Sequence, residues 1–358
     1  MNAFARVALL VLGIAPSLLP AQSPPIALPP AGKLYHGFYW GGVGTDTHDP
    51  SEHDVAASDV SRYEQTVGKR VTWVYFSDNW FESREFPEKM CTWIRGLGKI
   101  PYVRLMLRSD VDQKHSEKKF TLQKIATGAF DADLRAWAQQ ARHFDSPILI
   151  EWGTEPNGDW FGWNGKWNGR AQRGAGDYIS AYRHIVDVMR AEGAANLQWV
   201  WHVNWYDEPA VKWNRFENYF PGDKYCDWLG LSAYGPTTPT TPDGTESFGF
   251  KLREAYPRLT KLAPGKPIIV AEFGCDLHNR HVDAARWADG ALDELFSRRW
   301  PAIVGFCWWN EGWQNDDHQK HDSDLIILHD RDLTRVFREE LTAHADKIQE
   351  TPVITGHH

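Results

Sequence analysis

Eight short runs of apolar and β-branched residues punctuate the chain: Tyr35–Trp40, Val71–Phe76, Ile100–Leu105, Ile148–Trp152, Leu197–His202, Trp228–Ser232, Pro267–Glu272 and Ile303–Trp309. Near-continuous apolar runs of this length fit strands buried on both faces, as in a parallel sheet covered by helices. The segments between them carry a helical period. Phe130–Phe144 places Leu134, Trp137, Ala138 and Ala141 on one face, with Asp131 and Asp133 in its first turn. Tyr178–Ala191 repeats Tyr178, Tyr182, Ile185, Val186 and Met189, and Val282–Phe296 and Leu333–Leu341 behave likewise. Strand–helix alternation implies parallel neighbours joined by right-handed crossovers. Eight such units predict an α/β chain folded as a single (β/α)₈ TIM barrel. An open doubly wound sheet is the competing architecture. It would carry a glycine-rich phosphate turn after its first strand, and the GGVGTDTHDP that stands there has no helix start.

Loop lengths are asymmetric. The stretches after strands are long and polar (Asn157–Gly176, Gly235–Gly244, Asn310–Asp324), whereas those after helices are short. The elaborated loops therefore fall on the face where a barrel keeps its chemistry. PTTPTTP resembles an interdomain linker in composition, but the strand–helix series resumes after it. At the N-terminus, Arg6, the apolar Val7–Leu19 and the small Ala21 read as a secretory signal over residues 1–21, too short to span a bilayer comfortably. An uncleaved anchor is the alternative. A proline-rich spacer (22–32), the barrel domain (33–346) and a tail (347–358) complete the expected organisation. The expected product is exported, secreted or periplasmic, with no membrane span in the mature chain.

Composition narrows the partners. The net charge of −8, with no basic run, argues against nucleic acid and anionic membranes. The 19 tryptophans are an unusual number: core filling is expected to account for about half, and those in loops suggest stacking surfaces for sugar rings or a binding interface. Cys91, Cys226, Cys275 and Cys307 form no CxxC or zinc pattern. Buried thiols are the default, with a Cys275–Cys307 bridge as the alternative. His278, His281, Asp316, Asp317, His318, His321 and Asp322 lack metal-site spacing and read as a solvated rim, so no metal or other cofactor is expected. The expected partner is a polysaccharide or oligosaccharide substrate, and the expected state a monomer.

Glu155, just past the fourth strand, and Glu272, ending the seventh, carry the candidate chemistry. Strands four and seven face each other across a closed barrel, so two carboxylates at their ends converge on one narrow mouth. Paired carboxylates among tryptophans suggest glycoside hydrolysis. Structural roles compete for each: loop capping for Glu155, a buried ion pair for Glu272. Asn157, His202 and Asn204 are candidates for sugar hydroxyls. Trp160, Trp163, Trp205 and Trp309 are candidate stacking platforms, with Trp309 nearest the reacting sugar and Trp308 turned into the core by alternation.

The strings FDADLRAWAQQ, PILIEWGTEPNGDWFGW, NYFPGDKYCDWLGLSAYG, PIIVAEFG and FCWWNEGW resemble, in this order, glycoside hydrolase family 26, a family mainly of β-mannanases with retaining (β/α)₈ barrels. The resemblance covers most of the chain. It implies Glu155 as general acid/base, Glu272 as nucleophile, Tyr234 as a hydrogen-bond donor to Glu272, and β-1,4-mannan as leading substrate. Mixed-linkage β-glucan, xylan, an exopolysaccharide, or a catalytically retired carbohydrate-binding barrel stay open. The family usually has His before the acid/base and Met after it; here Thr154 and Pro156 stand there. Where it often has Arg four residues before the acid/base, this chain has Glu151. A carboxylate inside a barrel needs a partner, and Arg104 on the neighbouring third strand is the expected one.

Overall fold

The computed structural model describes residues 25–41, 55–316 and 318–354. The expected signal segment lies outside them, as does most of the glycine cluster after the first strand. Eight parallel strands, β1 (Leu34–Tyr39), β2 (Trp73–Asn79), β3 (Ile100–Met106), β4 (Ile148–Trp152), β5 (Leu197–Asn204), β6 (Trp228–Ser232), β7 (Ile268–Phe273) and β8 (Ile303–Trp308), pair in sequence order. β8 pairs back onto β1, which closes the barrel. Every strand residue is buried, as the continuous apolar runs require.

Helices α1 (Ala57–Val67), α2 (Glu88–Gly96), α3 (Leu122–Ala126), α4 (Asp131–Phe144), α5 (Gly174–Ala191), α6 (Phe248–Leu262), α7 (Ala284–Phe296) and α8 (Arg331–Ala343) form the outer ring. α4, α5, α7 and α8 fall where the 3.6-residue period put them. Side-chain caps start several: Asp283 accepts from the Arg286 N–H and Asp330 from the Leu333 N–H. The alternation has one gap, because no α-helix follows β5. Lys212–Asn214, Phe216–Tyr219 and Asp223–Tyr225 form 3₁₀ turns there. Pro209, Pro221 and Gly222 break any longer helix, while Phe216 and Phe220 pack edge-on against Trp201 and fill the vacancy.

The barrel interior is unusually aromatic. Tyr35, Trp73, Tyr75, Tyr102 and Trp228 meet inside it, separate from the aliphatic layer between strands and helices. Glycines make this fit: a Cβ on Gly37 or Gly305 would stand 2.0 or 2.5 Å from the Trp73 ring. At the bottom, residues 26–27 dock against residues 353–354. Ile26 bridges Ile354, the Ala27 N–H donates to Val353 O at 2.7 Å, and Ile348–Gln349 adds a short parallel strand, β9, to β1. The apolar Ile26 and Ile348 drive this closure, which the proline content conceals. All four cysteines are free and buried, so the Cys275–Cys307 bridge does not form.

Candidate active site

The long loops gather over the C-terminal ends of the strands and enclose a cleft of about 1290 Å³. Glu155, Trp160, Asn204, Trp205, Tyr234, Glu272, Trp309 and Arg104 all line it. Glu155 follows Gly153 in a turn where both adopt left-handed backbone, φ 48° and 64°. A non-glycine residue there carries strain of roughly 1 kcal/mol or more. The Glu155 N–H is anchored on His202 O at 2.8 Å, and its carboxylate accepts the Trp160 indole N–H at 2.6 Å.

Glu272 reaches the mouth by a departure from strand alternation. Leu231 pairs with Val270 but Ser232 pairs with Glu272, so β7 carries an extra residue at this point. Such a bulge re-aims a side chain; simple alternation after Ile269 and Ala271 would have turned Glu272 outward. Tyr234 donates to one carboxylate oxygen at 2.8 Å, the Tyr75 hydroxyl lies 3.3 Å from the other, and the Arg104 guanidinium stands 3.9 Å away.

Below this pair lies a buried charge network. Arg104 and Glu151 are cross-strand partners on β3 and β4, with Nε and Oε1 3.9 Å apart, as the charge argument required. Glu151 also accepts from Tyr75 (2.5 Å) and Tyr102 (2.6 Å) and contacts His202 Nδ1 at 3.1 Å. The other His202 nitrogen meets the Ser232 hydroxyl at 2.7 Å. Burial pushes the Glu151 carboxyl up, but His202, Arg104 and Tyr102 together outweigh it and hold it below the usual range. For His202, burial pulls downward and Glu151 more than reverses it, so the imidazole is raised. Glu272 behaves oppositely. Burial lifts it, Arg104 opposes, Glu155 adds repulsion, and the result is about 7. The hydrogen bond expected from Tyr234 is present, but it does not offset the desolvation of the Glu272 carboxyl.

Among the described residues, Glu151, His202 and Glu272 bring ligand-type atoms within 4.8 Å of one another. Each is engaged by protein donors or acceptors, and Arg104 already supplies positive charge between the two carboxylates. In the rim cluster, His321 pairs with Asp316 at 2.7 Å, while Asp317 lies outside the described residues.

Three sequence candidates sit behind the cleft. Asn157 is fully buried; its side chain binds Asn204 O, Tyr206 O, Asp207 and the Asn204 N–H, which leaves nothing for a sugar. Trp163 is buried against Phe161 and Trp152, its N–H spent on Thr154 O. His202 lies under the mouth in the charge network. Trp309 faces the cleft, stacked on Tyr39 (centroids 3.5 Å) with its N–H on Glu311 at 2.7 Å, whereas Trp308 packs in the outer core. Tyr39, Tyr75, Tyr102 and Glu311 were not among the sequence candidates. Tyr102 shares inward parity with Arg104, two residues on, and Tyr75 is its cross-strand partner. Glu311 offered no comparable signal.

Comparison with known proteins agrees with this geometry. The family model described as "Glycosyl hydrolase family 26" matches residues 111–269. Endoglucanase H of Acetivibrio thermocellus is 28% identical over 315 residues, covering 87% of this chain and 31% of that protein. A mannan endo-1,4-β-mannosidase of Bacillus subtilis is 24% identical over 217 residues, 59% of this chain and 49% of its own. A β-1,3-xylanase of a Vibrio species is 29% identical over 116 residues, 32% and 23%. The chain thus spans about a third of the endoglucanase and less of the xylanase. A solved GH26 β-mannanase from Bacteroides ovatus shares the fold, with a TM-score of 0.62 at 15% identity over 92% of this chain and 95% of that one.

Proposed function

We propose that this chain is a member of glycosyl hydrolase family 26, and that it is an exported, retaining endo-β-glycanase that acts as a monomer, with β-1,4-mannan as its foremost substrate. The observation that carries the reading is the pair Glu155 and Glu272 in one aromatic cleft, each carboxylate held by its own donors. In this mechanism Glu272 attacks C1 of the sugar while Glu155 protonates the departing oxygen, leaving a covalent glycosyl-enzyme. Glu155 then takes a proton from the water that attacks C1 and releases Glu272. Tyr234 and Tyr75 keep the Glu272 oxygens aimed, and Arg104 stabilises its charge. Trp309, clamped by Tyr39 and Glu311, offers a fixed face to the reacting ring.

Thr154 bears on the substrate. Its hydroxyl is buried beside His202 Nδ1 at 2.9 Å and Thr154 does not line the cleft, so this position is not presented to the sugar. Reducing-sugar release should be measured on β-mannan, glucomannan, mixed-linkage glucan and β-1,4-xylan, beside Glu155→Gln and Glu272→Gln. Cleavage of a polymer that both variants abolish supports the pair and names the polymer; activity surviving in both overturns the assignment. Proton NMR of the first product distinguishes retention from inversion, and N-terminal sequencing of the exported protein tests cleavage after Ala21.

A further inference from the structure

We propose that Trp205, backed by the buried ammonium of Lys251, is the platform for a second sugar on the leaving-group side of the cleft. This rests on the glycanase reading above and extends it to how the polymer is gripped beyond the cleaved bond.

Three observations carry it. Trp205 lines the cleft directly after β5, its backbone N–H fixed on Ser232 O at 3.0 Å. Trp160, Trp163, Trp309 and Trp313 each spend their indole N–H on a protein acceptor, Glu155, Thr154, Glu311 and Asn315 respectively. Trp205 has no such acceptor among the described residues, so its N–H is available to a sugar hydroxyl. Second, Lys251 on α6 has a side chain of 0% exposure, and its Nζ sits 4.4 Å from the centre of the Trp205 ring. Burying an ammonium is costly, and Glu246 (3.1 Å) and Gly244 O (3.1 Å) compensate it only in part. Nothing in the reaction uses this charge. Its effect is to hold the indole in place through a cation–π contact, which suits a stacking platform.

The third observation sets the side. Trp160 is hydrogen-bonded to Glu155, Tyr206 stands 6.3 Å from Trp160, and Trp205 stands 5.0 Å from Tyr206. The aromatic run leads outward from the group that protonates the leaving oxygen. Trp309 and Tyr39 stand apart from it, beside Tyr234 and Glu272. Trp160 is therefore placed for the first departing sugar and Trp205 for the next.

The test compares kcat/KM for mannohexaose with that for p-nitrophenyl β-mannobioside, whose leaving group places no sugar at Trp205; cellohexaose and the aryl cellobioside serve if the polymer panel selects glucan. The hexaose-to-aryl ratio should fall about ten-fold in Trp205→Ala, the scale of one lost stacking platform. Trp205→Phe should recover part of it, and Lys251→Met should lower the ratio by an intermediate factor. Cleavage of the aryl glycoside shows that each variant has folded. An unchanged ratio in Trp205→Ala, with the wild-type protein active, overturns this subsite and leaves the glycanase reading standing. A wild-type protein inactive on all four compounds and on the polymer panel overturns the glycanase reading, and the subsite with it.

Discussion

Replacing Arg104 tests the electrostatic account of the mouth. The guanidinium lies 3.9 Å from both Glu151 and Glu272. At that separation and an effective dielectric near 20, one unit-charge interaction is worth about 4 kcal/mol, a ceiling of roughly three pH units. Water entering the space left by Arg104→Met will recover part of this, so a rise of about 1–2 units in Glu272 is expected. The sign is fixed: losing a neighbouring cation favours the neutral carboxyl. The acid limb of the kcat/KM profile, expected near 7 in the wild-type protein from Glu272, should move upward. Arg104→Lys should keep most of the original limb. Stranding Glu151 destabilises the single variant, since an unpaired buried charge costs about 3–5 kcal/mol. The double variant Arg104→Met/Glu151→Gln removes one charge of each sign, and its limb should return towards the wild-type position. An acid limb that stays put or moves down in a folded Arg104→Met protein would refute the reasoning.

Other outcomes follow from the same geometry. Because the folded-state value of Glu272, about 7, exceeds its ordinary 4.5, its contribution to stability is full below about 4.5 and is lost as pH rises through about 7. Glu272→Gln should therefore gain on the wild-type protein by up to about 3 kcal/mol between pH 4.5 and pH 8, read by urea denaturation at both values; a difference independent of pH contradicts the shift. Gly305→Ala puts a methyl group against the Trp73 ring and should lower stability by about 1–3 kcal/mol, while a thermal midpoint equal to wild type would deny the tight fit. Glu311→Ala releases the Trp309 N–H and should cost about 1 kcal/mol of transition-state stabilisation, seen as a several-fold fall in kcat/KM; an unchanged value would mean that Tyr39 alone holds the ring.

The barrel was legible because its strands are buried on both faces: such runs stand out from the amphipathic helices without knowledge of what packs on them. Glu155 and Glu272 were legible for the same reason, one standing just past such a run and the other ending one. The β5–β6 connection was not, because aromatic side chains replace the helix there and leave no period. Orientation was legible only where alternation is unbroken. It separated Trp308 from Trp309, and it would have misdirected Glu272, whose bulge depends on pairing with β6. Asn157 and Trp163 looked like sugar ligands because composition marks them as polar or aromatic loop residues. Whether such groups face a ligand or brace the loop depends on partners distant in sequence, here Asn204, Tyr206 and Asp207 for Asn157.

The left-handed backbone at Glu155 has a consequence for how this position can vary. Glycine would relax the turn there, so random substitution screened only for thermal tolerance should enrich glycine at position 155. The same screen run on catalytic turnover should return glutamate. The two selections pull one codon in opposite directions, and the distance between their winners measures how much folding robustness this loop forgoes to keep a carboxylate over the cleft.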